Sequence, residues 1–323
     1  MADSAVGFWR FARRWARSFT APRSADPMPA SPVPTPTAPG RVLGGYRIER
    51  PLGQGAMGAL YLAVDPIDQT PRVLKTLALA REFEAEDLPD ARARFLREAE
   101  AACRLRHPDI VRVYGAGEDR GLAYIVMDPL SGSDLSRYTR PARLLPEPVV
   151  LRIVARVAEA LAYAHSQGVV HRDVKPANVM VDLGAHRVTI TDFGIARLTD
   201  GNRTRTGLVI GSPSFMSPEQ LAGAQVDGRS DLYSLGVMLF QLLTGRLPYE
   251  GASMGELLRA VAGGPARDIR QLRPDAPPAL AELLARALHK TPQQRFADGH
   301  QFAAALREID SHWNVTPDTD HGA

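Results

Sequence analysis

Residues His171–Met180 read HRDVKPANVM, a run that puts His, Arg, Asp, Lys and Asn into eight positions between two apolar stretches, GVV before it and VMVD after it. A buried loop of this composition is costly unless its polar groups pair with one another, with metal or with ligand. The plain alternative is a solvated turn. The rest of the chain decides between the two.

The chain has 323 residues, long enough for one large domain or two smaller ones, and its 45% hydrophobic content is ordinary for a globular protein. Its single cysteine, Cys103, cannot form an internal disulfide. With no secretory apolar region at the N-terminus, this predicts a reducing, cytoplasmic setting. Cys103 stands among helix formers (AEAACRLR) and reads as a small buried hydrophobe, not a reactive thiol. No apolar run reaches the roughly 20 residues needed to cross a bilayer, so no transmembrane segment is expected. The net charge is +3, but residues 1–41 hold six arginines against two aspartates, which leaves the remainder with one net negative charge. A nearly neutral body argues against nucleic acid as a partner, because phosphate-backbone binding needs a broad basic face.

Before the globular part, GFWRFARRWARSF (7–19) spaces Phe8, Phe11, Ala12, Trp15, Ala16 and Phe19 along one helical face with Arg10, Arg13, Arg14 and Arg17 opposite. This predicts a basic amphipathic helix within residues 1–20. Residues 21–45 read as a linker, because seven prolines between 22 and 39 favour extended chain and cannot build a core. Outward from there, GGYRIERPLGQGAMGALYLAVD and PRVLKTLAL read as strands, 91–105 as a helix, and IVRVYGAGEDRGLAYIVM as two strands joined by a glycine-containing turn. From about Pro148 the periodicity turns helical, through VVLRIVARVAEALAYAHSQG, SDLYSLGVMLFQLLTG, MGELLRAVAG, PALAELLARALHK and GHQFAAALREID. Strands first and helices second predict an α+β, two-lobed chain, and a cleft between lobes is a common place for a site.

Gly53-Gln54-Gly55-Ala-Met-Gly58 matches G-x-G-x-x-G, a pattern shared by flexible turns and dinucleotide fingerprints. The dinucleotide reading needs a helix straight after the glycines. The residues that follow are ALYLAV, so two strands bridged by a glycine loop fit better, and such a loop lets backbone N–H groups approach phosphates. Lys75 follows on a strand-like run (RVLK), and Glu98 lies on the helical segment FLREAE. A lone lysine of this kind is ordinarily a surface charge.

Taken in order, the glycine loop, Lys75, HRDVKPAN (171–178), DFG (192–194) and SPE (217–219) resemble the eukaryotic-type protein kinases over roughly residues 46–308. The bacterial serine/threonine members are most similar, through GQGAMG, HPDIVRVY and GRSDLYSLGVMLFQLLTGRLP. The resemblance implies a two-lobed fold, with a strand-rich lobe at 46–128, a helical lobe at 129–308 and a tail at 309–323. It implies an ATP-dependent enzyme that phosphorylates Ser/Thr hydroxyls of proteins, with Mg²⁺ as cofactor and Mn²⁺ as the alternative. Lys75 would hold the ATP α- and β-phosphates while ion-paired to Glu98. Asp173 would orient the substrate hydroxyl and accept its proton, Lys175 would neutralise the γ-phosphoryl group, and Asn178 and Asp192 would hold the metal.

The adenine would lie between the lobes, with Met127 as gatekeeper and Asp128-Pro129-Leu130 as hinge. Asp128 would offer its carbonyl and Leu130 its N–H, so the proline is compatible with ATP. Leu60, Val73 and Met180 would line the apolar slot. Leu60 and Val73 are bulkier than the Val and Ala that the family favours there. Lys175, two residues after the catalytic Asp, is similar to the serine/threonine group and unlike the tyrosine group. Ser212 keeps a hydroxyl where Thr is common, Glu219 would pair with Arg295, and Asp231 would brace the HRD backbone.

Two alternatives stay open at this stage: a non-enzymatic scaffold, and a small-molecule phosphotransferase. The first predicts loss of Lys75, Asp173, Asn178 or Asp192, and all four are present. The second predicts a short segment between DFG and SPE, whereas residues 192–219 supply a long one. For control, Thr204 and Thr206 are the expected phosphosites, with Arg172 as the phosphate's partner. For location, residues 7–19 suit either an anionic membrane surface, peripheral at the inner face, or a groove on a partner protein. Homodimerisation through the strand-rich lobe is common among the bacterial relatives.

Overall fold

A computed structural model describes residues 40–54, 58–193 and 213–313. The helix expected over 1–20, most of the linker, Gly55, Thr204, Thr206 and Ser212 lie outside the described residues.

The first strand, β1 (Val42–Leu43), turns back at Gly44-Gly45 into β2 (Tyr46–Gln54). Sheet structure therefore begins inside the span expected to be linker. Leu43 explains this, because it is buried in the sheet's own core while its backbone pairs with Tyr46. Next come β3 (Ala59–Val64), β4 (Pro71–Leu77), the short helix α1 (Leu79–Glu82), α2 (Leu88–Arg104), β5 (Val113–Asp119) and β6 (Leu122–Met127). The strands pair antiparallel in the order β1-β2-β3-β4-β6-β5.

Alternation along these strands gives the sheet two faces with different fates. Ile48, Tyr61, Ala63, Leu74 and Val126 close one face as a small separate core with Leu43. On the other face Val73, Leu77, Ile125 and Met127 join the main core, which α2 enters through Ala91, Phe95, Ala99 and Ala102. That spacing is one face of a helix. Cys103, on the same helix, is half-buried against the core, and burial pushes its thiol pKa up, which keeps it an inert thiol.

Past Met127 the chain forms β7 (Ser133–Asp134), α3 (Glu147–Ser166), β8 (Val179–Asp182) and β9 (Arg187–Ile190), and β7-β8-β9 make a second, three-stranded sheet. Helices α4 (Pro218–Leu221), α5 (Gly228–Thr244), α6 (Met254–Gly263), α7 (Pro278–Ala287) and α8 (Gly299–Trp313) complete the lobe. Nearly every residue of α5 is buried, as its apolar sequence requires. Its ends are fixed by Asp227, which accepts the Arg229 N–H at 2.8 Å, and by Gly245 with φ 71°. Helix α8 packs so tightly on α3 that a Cβ at Gly299 would sit 2.0 Å from the Ala158 carbonyl oxygen. It runs through Trp313, past the expected boundary at 308, because Phe302, Leu306 and Ile309 continue one buried face.

The described chain is thus α+β, with a strand-rich lobe followed by a helical one. Among the described residues no helix is long and apolar enough to cross a membrane.

Candidate active site

The opening loop of charged residues proves to be paired internally. Asp173 Oδ2 accepts from Lys175 Nζ at 2.7 Å and from Asn178 Nδ2 at 2.9 Å, and Asn178 Nδ2 also reaches the Asp173 carbonyl at 2.8 Å. Both side-chain contacts use Oδ2. His171 is fully buried below. Its Nδ1 accepts the Asp173 N–H at 3.2 Å, so its proton sits on Nε2, which donates to the Thr191 carbonyl at 2.8 Å. The ring also packs on Phe193, with centroids 4.5 Å apart.

A single acid braces this loop from beneath. Asp231, in the first turn of α5, is fully buried, accepting the His171 N–H at 2.8 Å, the Arg172 N–H at 2.7 Å and the His165 Nε2–H at 2.7 Å. Burial alone would raise its pKa. The His165 hydrogen bond, the two nearby imidazoles and the backbone donor outweigh that and hold the carboxyl below the usual range. From the other side, Gln220 Nε2 donates to the Arg172 carbonyl at 2.8 Å, and Gln220 is itself locked in a capping box with Ser217. His165 and Gln220 were not anticipated from the sequence. The signal for His165 is a titratable side chain one residue before the end of a largely apolar helix, four residues after the buried Leu161.

Antiparallel pairing places the two expected metal ligands side by side. Val179 opposes Ile190, so Asn178 and Thr191 leave the β8–β9 pair together, joined by Thr191 N–H to the Asn178 carbonyl at 2.9 Å, with Asp192 next. The Asn178 amide nitrogen is committed to Asp173, which turns its amide oxygen the other way. With the Asp192 carboxylate this makes an all-oxygen donor pair, the chemistry that suits Mg²⁺ completed by water and phosphate. Asp192 has φ 67° and Arg172 φ 68°, left-handed values that are rare for such side chains and concentrate at functional sites.

Lys75 is drawn to this pair. Its Nζ lies 2.6 Å from Asp192 Oδ1. This corrects the expectation of a Lys75–Glu98 ion pair: among the described residues the ammonium's ion pair is with Asp192. Glu98 stands half-buried on the flank of α2, next to the buried Ala99, and has interactions of its own. Arg172 likewise has interactions in the chain and does not wait for an anion to supply its first partner.

The nucleotide-slot candidates follow from strand register. Leu60 opposes Lys75, Lys75 opposes Ile125, and Val73 opposes Met127, so Leu60, Val73, Lys75 and Met127 share the face that looks into the main core and cleft. Gly53 and Gln54 oppose Leu60 and Ala59 at the end of β2. Gly58 returns against β4 so closely that an added Cβ would meet the Thr76 carbonyl oxygen at 1.7 Å. Thr76 Oγ1 ties the same turn, accepting the Ala59 N–H and donating to the Ala59 carbonyl, both at 3.1 Å. Asp128 follows β6, its N–H bonded to the Arg112 carbonyl at 3.1 Å, and Leu130 packs against the core. Met180 is half-buried on β8, opposite Asp134.

Below the site, Arg295 grips Glu219 in a two-pronged ion pair, Nη1 to Oε1 at 2.6 Å and Nη2 to Oε2 at 2.8 Å, with Ser230 Oγ also on Oε1. Arg295 further donates to the carbonyls of His289, Arg229 and Lys290. Burial raises the Glu219 pKa, and Arg295 and Ser230 bring it below the usual value.

A two-lobed fold, a glycine packed on the strand that carries Lys75, and an Asp–Lys–Asn loop beside a second Asp define a protein kinase domain. Residues 46–308 match the protein kinase domain family, and the chain belongs to it. Its likeness runs to bacterial serine/threonine kinases. It is 42% identical over 275 residues to serine/threonine-protein kinase PknJ of Mycobacterium tuberculosis, covering 82% of this chain and 45% of PknJ. It is also 42% identical over 278 residues to serine/threonine-protein kinase pkn3 of Myxococcus xanthus, covering 82% of this chain and 50% of that one. The chain spans about half the length of the curated relatives it matches. Among solved structures, the Mycobacterium tuberculosis PknI kinase domain superimposes with a TM-score of 0.69 at 36% identity, covering 84% of this chain and 99% of that one.

Proposed function

We propose that this chain is a protein serine/threonine kinase that transfers the γ-phosphate of ATP to protein hydroxyls. The observation that carries the reading is Asp173, whose carboxylate is oriented by Lys175 and Asn178 while Asn178 adjoins Asp192. Phosphoryl transfer passes through a loose transition state with charge spread over the equatorial oxygens, so positioned cations and a positioned base are what the protein must supply. Asp173 orients the incoming hydroxyl and takes its proton, and Lys175 faces the phosphoryl oxygens. Lys75 holds the α- and β-phosphates, exchanging part of its contact with Asp192 for them. Asn178 and Asp192 hold Mg²⁺, or Mn²⁺ in its place, which when bound neutralises phosphate oxygens. Gly53, Gln54, Gly55 and Gly58 cover the phosphates, and Leu60, Val73, Met127, Asp128, Leu130 and Met180 enclose the adenine.

Labelling from γ-labelled ATP, on the protein itself and on a generic basic protein, tests this against Asp173→Asn. The variant should lose about 10²–10⁴-fold in rate. Equal labelling of the two proteins would remove the reading.

Autophosphorylation of Thr204, Thr206 or both, with Arg172 as one partner of the phosphate, belongs to the same reading. Its support is the position of these threonines between DFG and SPE and the affinity of guanidinium for phosphate. Unchanged intact mass and turnover in Thr204→Ala/Thr206→Ala would overturn it. A cytoplasmic enzyme held to an anionic membrane surface by residues 7–19 fits their aromatic and arginine faces, and a partner groove is the alternative. Liposome co-sedimentation of the full chain and of residues 41–323 separates them, since equal sedimentation sinks the membrane version. Pairing of two copies through the strand-rich lobe rests on family likeness, and sedimentation equilibrium tests it.

A further inference from the structure

Asp128 is the first residue beyond β6, and its side chain is gripped by neighbours from two other strands. Tyr114, on β5, donates its Oη–H to Asp128 Oδ1 at 2.8 Å. Arg72, on β4, brings Nη1 to 3.8 Å from the same oxygen and lays its guanidinium 4.0 Å from the Tyr114 ring centroid. Arg72 is buried and anchored in turn by Asp68 Oδ2 at 3.2 Å, in the turn between β3 and β4. The register explains how three strands converge on one carboxylate. Met127 opposes both Val73 and Val113, so Arg72 and Asp128 are the next residues outward on neighbouring strands. Between Val113 and Gly115 the β5–β6 ladder skips a residue, and the extra one is Tyr114. A bulge of this kind re-aims a side chain at the expense of a regular ladder step.

None of these three side chains shares the cleft face with Val73 and Lys75. What they fix is the backbone of Asp128, which is also restricted by the proline that follows it. On the kinase reading above, on which this inference rests, the Asp128 carbonyl and the Leu130 N–H meet the adenine. Rotation of Asp128 would swing both groups, because Pro129 has a fixed φ.

We propose that Tyr114 and Arg72 are positioning residues for the nucleotide base, holding Asp128 so that the hinge carbonyl and N–H are set for a purine edge. They act through Asp128 and touch no reacting atom. A merely structural clamp would change stability, or affinity for any polyphosphate. A base-positioning clamp changes affinity for ATP and leaves affinity for inorganic tripolyphosphate alone.

The test uses the full chain with Mg²⁺ and compares wild type, Tyr114→Phe, Asp128→Ala and the double variant. Titration calorimetry should show Tyr114→Phe weakening ATP binding about 3- to 10-fold, the range of one ordinary solvent-accessible hydrogen bond. Tripolyphosphate affinity should stay within about twofold. KM for ATP should rise with kcat little changed, and in the Asp128→Ala background Tyr114→Phe should add nothing. Unchanged ATP affinity, or equal losses for ATP and tripolyphosphate, would overturn the proposal. If Tyr114→Phe fails to fold, Arg72→Lys keeps the charge but removes the planar stacking, and the same ratio decides. A wild type that binds ATP but transfers no phosphate removes the kinase reading alone, and the ATP-to-tripolyphosphate ratio still judges the clamp. A wild type that binds no ATP overturns both.

Discussion

Asp231 holds the main-chain N–H of Arg172 at 2.7 Å, directly beneath the residue before Asp173. Arg172 sits at φ 68°, a conformation that costs on the order of 1–3 kcal/mol for such a residue and persists only where its surroundings hold it. Asp231 fixes it from below and Gln220 from the side. Asp231→Asn keeps the size but turns a donor toward one of the two backbone N–H groups. We expect a loss of about 1–3 kcal/mol in urea unfolding, and at least a tenfold fall in kcat as Asp173 loses its orientation. KM for ATP should move little. Wild-type unfolding and turnover together would show the brace to be idle.

The Glu219–Arg295 pair makes a different prediction, because Arg295 is buried and the Glu219 side chain is largely withdrawn from solvent. Removing Arg295 alone strands an uncompensated carboxylate in the core, whereas removing both replaces a desolvated pair by apolar packing. Arg295→Met should therefore destabilise by about 3–5 kcal/mol, and Arg295→Met with Glu219→Leu should recover much of that. Additive losses in chemical denaturation would contradict it. The linkage sign is fixed by the lowered pKa values of Glu219 and Asp231. Their contribution is full above the unfolded values near pH 4 and is lost as pH falls through the folded ones. Acid unfolding of Asp231→Asn should accordingly have a shallower pH slope than wild type.

How far the sequence announced this arrangement differs from residue to residue. Alternation made the strands of the first lobe legible, and motif likeness pointed to Glu219 with Arg295 and to Asp231 under the HRD backbone, contacts the structure forms. The Lys75 partner was not legible, since it depends on where α2 and the 192 backbone lie in space, not on the 23 positions between Lys75 and Glu98. His165 was hidden by a helical pattern that explained its neighbours without it. Tyr114 and Arg72 were hidden for another reason: a bulge shifts which side chain faces which, and periodicity assumes regular ladders. The short β7 strand is legible only from its partner, since two residues carry no pattern.

Gly58 tests the glycine turn by sterics alone. Its Cα lies so near β4 that any side chain would collide with the Thr76 carbonyl oxygen, which belongs to the backbone and cannot swing away. Gly58→Ala should push the β2–β3 turn off the sheet, break the Thr76–Ala59 bonds and raise KM for ATP about tenfold or more, with a smaller effect on a peptide substrate's KM. An unchanged KM for ATP would mean the turn lies clear of the nucleotide.

Lys290 supplies a pH signature on the alkaline side. Its ammonium lies 3.9 Å from the Tyr249 ring centroid and donates to the Val261 carbonyl at 2.7 Å, near the end of α6. Burial, with a smaller push from the neighbouring charge of Arg295, lowers its pKa to about 8. The unfolded value is about 10.4, so between the two the unfolded chain carries the extra proton. Unfolding free energy must then rise with pH across that window, because stability increases wherever the unfolded state binds more protons. Below pH 8 both states are protonated and the slope from this group vanishes. Lys290→Met removes the group, so wild type should gain stability relative to the variant from about pH 8 to about pH 10, and run parallel to it between pH 6 and 7.5. Parallel curves over the whole range in urea titrations would show that Lys290 keeps an ordinary pKa in the folded chain.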